Sequence, residues 1–140
     1  MAVRTTTLRV AMQGGTQVEQ ITRAVAQVLA ESGVQAGIVT VFVQHTTASV
    51  AIIEDEPGIR ADTQQFWDRL IPADARLQHN QRNAGEDNGH SHLRGQLQGH
   101  SLTVPCAAGA MLLGRWQQIV LIDFDTRPRE RQIVVQVMGE

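Results

Sequence analysis

The chain has a single cysteine, Cys106, so no disulfide can close within it; that scarcity reads as a protein of the reducing cytoplasm. Lysine is absent, and all 12 basic residues are arginine, set against 14 acids. A formal charge of -2 leaves no basic footprint for nucleic acid, so no such partner is expected. No apolar run approaches the roughly 20 residues that span a bilayer, which argues against a membrane partner. The opening stretch, "MAVRTTTLRVAMQ", lacks the continuous apolar core of a signal peptide. Motifs are missing as well. There is no CxxC or HExxH, and no GxSxG elbow, so Ser49, Thr46 and Thr47 are set aside as hydrolase nucleophiles. Neither an internal repeat nor a linker interrupts the chain.

What is present suits one folded unit. A hydrophobic fraction of 42% in 140 residues is enough for a substantial core, and we read 1–140 as a single domain. Residues 5–13 alternate and are rich in β-formers, which predicts a strand. Thr16 and Glu19 have capping-box spacing, and Val18, Ile21, Val25, Val28 and Leu29 follow at helical intervals up to Gly33; the pattern predicts a helix over 16–32. "GIVTVFVQH" (37–45) and "ASVAIIE" (48–54) read as strands, and Ile59, Phe66 and Leu70 predict a second helix that Pro72 ends. Residues 72–95 form a polar stretch and read as a long loop, of a length that marks either function or disorder. Three β-rich runs close the chain, the last two as a hairpin around "DTRPRE". Regular βαβ alternation is missing, which argues against a doubly wound parallel sheet. The order predicts an α+β domain: an antiparallel β-sandwich, jelly-roll-like, with two flanking helices.

Chemistry concentrates around the five histidines. His45 ends the most β-like run, His79 lies in the polar stretch, His90 and His92 close it, and His100 precedes a later strand. Neutral imidazoles are common metal ligands, and three of them with an open position can activate a bound water. A solvated loop histidine is the plainer alternative for any one of them. His90 and His92 share a face only if the backbone is extended; on a helix they diverge. His100 has no acidic or amide neighbour and is the poorest ligand. Of the acids in "IIEDEPG", Glu54 adjoins the apolar strand and is the candidate general base, whereas Asp55 and Glu56 read as a charged turn. Arg129 and Arg131 stand at alternate positions and suit a phosphate or carboxylate. Trp116 and Gln117 of "GRWQQ" are substrate-contact candidates, with core packing the competing reading for the tryptophan.

The segments "HTTASVAIIE" (45–54), "QHN" (78–80), "EDNGHSHL" (86–93), "GHSLTVP" (99–105), "LLGRWQQIVLIDFD" (112–125) and "RPRERQIVVQVMG" (127–139) together resemble the YjbQ-like family, whose members are often labelled secondary thiamine-phosphate synthases. The resemblance implies a homotrimer and a histidine-built metal site. It implies His45, His79 and His92 as ligands, with Glu54 as catalytic acid–base or orienting group. Thr46, Thr47 and Asn88 would add hydrogen bonds. The implied reaction joins hydroxymethylpyrimidine diphosphate to thiazole phosphate and releases pyrophosphate. Imidazole ligands favour a zinc-like divalent ion, with magnesium the alternative beside a diphosphate. The partner expected is a small phosphorylated metabolite. The competing readings are a noncatalytic metabolite- or metal-binding module, a metal-dependent phosphate-ester hydrolase, and an oligomer whose histidines only brace a loop.

Overall fold

Two antiparallel sheets and four helices make up the computed structural model, which describes residues 1–140. The elements run β1 (Ala2–Met12), β2 (Gln17–Gln20), α1 (Thr22–Ser32), β3 (Ala36–Val43), β4 (Ala48–Ile53), α2 (Pro57–Leu70), α3 (Gln78–Arg82), α4 (Gly89–Gln98), β5 (Ser101–Ala107), β6 (Ala110–Met111), β7 (Gln118–Asp123) and β8 (Arg129–Gly139). A five-stranded sheet has the order β1-β8-β3-β5-β6, and a three-stranded sheet the order β2-β7-β4. No helix is long and apolar enough to cross a membrane.

Alternation decides which side chains meet. Val39, Val41 and Val43 of β3 and Ile133, Val135 and Val137 of β8 point inward from the larger sheet. They join Val50, Ile119 and Leu121 of the smaller sheet and Val25, Val28 and Leu29 of α1 in one core. β7 is buried on both faces. Its alternate residues Val120 and Ile122 turn the other way and pack with Val18, Phe124 and Trp67 of α2. Trp67 meets Phe124 edge-on, with ring centroids 4.9 Å apart.

Several local expectations need correction. The helix expected from residue 16 begins at Thr22, because residues 17–20 form β2 instead and Val18 pairs with Ile122 of β7. Thr16 has φ 61°, so it lies in a turn and caps nothing. The polar stretch 72–95 is not one loop, since it holds α3 and the first part of α4; four helices form where two were expected. The anticipated terminal hairpin does not form either. β7 pairs with β2 and β4, whereas β8 pairs with β1 and β3 in the other sheet. Periodicity shows that both runs are strands, but it carries no information about which strand each one pairs with.

Candidate functional site

The chain passes between the two sheets at two corners that lie side by side. Residues 44–47 lead from β3 to β4, and residues 124–128 lead from β7 to β8. Phe124 N–H donates to Thr47 O at 3.0 Å and Gln44 N–H to Gln132 O at 3.2 Å, so the corners are tied to each other and to β8. α4 docks against both. Ser91 Oγ donates a short hydrogen bond to Phe124 O. Gly95 permits the approach to the first corner, because a Cβ there would stand 2.5 Å from Thr46 O.

A pocket of about 450 Å³ opens between these segments, and none of its 11 lining residues is apolar. His45, Thr46 and Thr47 come from the first corner, His79 from α3, Asn88 and His92 from the start of α4, and Arg129 and Arg131 from β8. The structure therefore brings together eight residues singled out in the sequence. It does not bring in Glu54, Trp116 or Gln117. Glu54 follows the far end of β4, where Ile53 pairs with Gln118; the pocket lies at the other end, where Ala48 pairs with Asp123. Six residues of strand separate the two ends by roughly 20 Å. Trp116 is 61% exposed beneath the Arg115 guanidinium, and Gln117 accepts the N–H of Gly114, both at that same distant end.

The residues missed are Asp123 and Asp125, both fully buried. Arg131 Nε donates to Asp123 Oδ2 at 2.6 Å and its Nη2 to Asp123 Oδ1 at 2.8 Å, a two-pronged pair sealed from water. Asp125 Oδ2 accepts from Thr47 Oγ1 at 2.9 Å and Arg129 Nε at 2.7 Å, and its Oδ1 from Asn88 Nδ2 at 3.1 Å and Thr126 N–H at 2.7 Å. Burial alone would raise its pKa. Those hydrogen bonds and the Arg129 charge outweigh burial and hold it at about 2. A signal was present: two acids at alternate positions inside the most apolar run, "IVLIDFD", must find buried cations, and Arg129 and Arg131 repeat the same spacing.

The ionised Asp125 also orients Asn88 and, through it, His79. A carboxylate only accepts, so Asn88 turns its amide nitrogen toward Asp125 and its carbonyl oxygen toward His79 Nε2, 3.1 Å away. His79 therefore carries a proton on Nε2, and its Nδ1 has no hydrogen-bond partner within the chain. His45 is the reverse. Its Nε2 accepts the N–H of Gln132 at 2.9 Å, so its proton sits on Nδ1. Burial, then the Arg131 charge, lowers the His45 pKa and keeps it in that neutral form. His92 lies beside His79, with ring centroids 4.5 Å apart, and burial followed by repulsion from His79 lowers its pKa.

The Nε2 of His45 is already spent on the Gln132 N–H, and no set of three or more His, Cys, Asp or Glu side chains is placed to hold an ion. The residues present do not fit the implied three-histidine metal centre.

The comparisons with known proteins agree on kinship. The model of the family described as UPF0047 protein YjbQ-like matches residues 6–140. The chain belongs to the YjbQ-like family. A UPF0047 protein of Methanothermobacter thermautotrophicus is 41% identical over 120 residues, 86% of this chain and 81% of the relative. A hypothetical protein of Aeropyrum pernix superposes with a TM-score of 0.90 at 33% identity, covering 98% of this chain and 99% of the other. A Sulfolobus solfataricus YjbQ-like protein, described as of unknown function, has a TM-score of 0.88 at 28% identity over 99% and 100% of the two chains. None of these descriptions carries an activity. Together with the unfit histidine set, this overturns the expectation of a metal-dependent thiamine-phosphate synthase: membership of the family brings the fold with it and leaves the reaction open.

Proposed function

We propose that the YjbQ-like pocket binds a small, hydrophilic metabolite through a phosphate group. The observation that carries this is a cavity without one apolar lining residue, into which unspent donors converge. Arg129 uses only Nε on Asp125, which leaves both terminal nitrogens for a ligand. Arg131 spends Nε and Nη2 within the chain and keeps Nη1. His45 adds an Nδ1–H that its bond to Gln132 holds in place. A planar guanidinium matches two phosphate oxygens at once. His79 lines the same pocket with its Nε2–H held by Asn88, which leaves Nδ1 free to meet the bound molecule.

Isothermal titration calorimetry with inorganic phosphate tests this. Binding is expected for the native chain, and Arg129→Gln should weaken it about tenfold, in keeping with loss of one charged hydrogen-bonding pair. Equal affinity in the two proteins, or no heat in either, would reject phosphate recognition at this pocket.

A further inference from the structure

Behind Asp125 lies a second cleft, of about 480 Å³, that shares this residue with the pocket as a common wall. α4 serves both. Asn88 and His92, four residues apart, face the pocket; His90 and Arg94, also four apart, line the cleft. Gln13, Thr16, Gln64, Asp68 and Thr126 add to its polar lining.

Two buried groups there are incompletely satisfied. His90 is 7% exposed, and its Nδ1 has no hydrogen-bond partner. Arg94 is 3% exposed. It gives Nε to Ile71 O at 2.9 Å, Nη1 to Thr16 Oγ1 at 3.0 Å and Nη2 to Asp68 Oδ1 at 3.3 Å. One N–H on each terminal nitrogen remains. Its carboxylate partner is a single long contact with Asp68, whose side chain is 59% exposed. Arg131, equally buried, instead faces two carboxylates that are almost fully enclosed. The Asp125 carboxylate cannot make up the deficit, because Thr47, Arg129, Asn88 and Thr126 already occupy its oxygens. A buried guanidinium with so thin a counter-charge, beside an orphaned imidazole nitrogen, is short of one acceptor-rich partner. Thr16 adds a further sign: a β-branched residue at φ 61°, held by its bond to Arg94 at the edge of the cleft.

We infer that this cleft is a second binding site, taking a small oxyanion, carboxylate or phosphate, on the spare Arg94 N–H groups and the His90 imidazole. It is separate from the pocket because each side has its own arginine and its own histidine.

Imidazole NMR on the full chain with labelled histidine tests the assignment. Acetate and inorganic phosphate are titrated separately into the native protein, Arg129→Gln and Gln64→Glu. Gln64 is exposed on α2 and makes no hydrogen bond to Arg94, so the new carboxylate repels an anion at the cleft without unseating the guanidinium. The expected result is a saturable His90 shift at millimolar anion, unchanged in Arg129→Gln and weakened at least about fivefold in Gln64→Glu. Response to acetate alone makes it a carboxylate site, and response to phosphate alone a phosphate site. A His90 resonance indifferent to both anions, or one that responds equally in Gln64→Glu, overturns the proposal. His79 and His92 report the pocket in the same spectra, so failure there is read independently.

Discussion

Asp125 accepts four hydrogen bonds while almost wholly enclosed, and Thr47, Asn88 and Arg129 of the pocket are oriented by it. Thr47 links it to Arg131, and Asn88 links it to His79. Its neutral amide analogue removes the charge that those donors are arranged to meet. Asp125→Asn should therefore cost on the order of 3 kcal/mol in urea unfolding at neutral pH, because buried donors and a guanidinium lose their acceptor. A midpoint within error of the native chain would remove Asp125 from the centre of this network. Arg129, half-exposed on its outer side, offers the contrast that makes its glutamine variant a usable probe of binding.

At the scale of elements, the acidic turn after β4 acts as a helix start. Glu56 accepts the N–H groups of Gly58 and Ile59 at the head of α2, and Pro57 occupies the first helical position. Asp55 pairs with Arg60 and accepts from Gln20, which ties that turn to β2. These are the structural roles of residues first read as a plain charged turn. Glu56→Ala should lower stability by about 1 kcal/mol with phosphate binding unaffected, since α2 contributes nothing to the pocket. Loss of binding together with the cap would show that α2 does support the site. The two corners, 44–47 and 124–128, matter for a different reason. Their residues leave one sheet's ladder before joining the other's, so His45, Thr46, Thr47 and Asp125 converge on the pocket while Phe124 alone turns into the core beside Trp67.

For the whole molecule, acid should act in two stages. His45, His90 and His92 have folded-state pKa values below the ordinary imidazole value of 6.5, in each case first through burial. The unfolded chain therefore takes up protons before the folded one does, and the stability these groups contribute is whole above 6.5 and shrinks as pH falls below it. Asp125, held at about 2 against an ordinary 3.8, contributes above that ordinary value and loses its contribution as pH falls toward 2. That second stage amounts to about 2 to 3 kcal/mol. Urea midpoints should fall between neutrality and about pH 5, then fall again below about pH 4. A stability that is flat or rises on acidification through the first interval would contradict the lowered folded-state pKa values of the three histidines.

Much of this site was legible from residue order, because polar groups in an otherwise apolar β pattern have to be accounted for. His45, Thr46 and Thr47 stood at a strand's end, and His79, Asn88 and His92 in the long polar stretch. Local periodicity by itself determined most strands and the apolar faces of α1 and α2, since each depends on side chains near one another along the chain, and the motifs spread in order from His45 to Gly139 carried the kinship to the YjbQ-like family. Only the tertiary structure decided that β7 and β8 part into different sheets, that Glu54 lies at the far end of β4, and that Asp125 takes the central place. It also decided that His90 and His92 turn to opposite clefts, because they lie on a helix where an extended loop was expected. The physical reason is the same throughout. Alternation specifies which way a side chain points from its own strand, whereas strand partners, distances between ends and the tautomer of an imidazole are settled by groups remote in sequence that meet only when the sheets close.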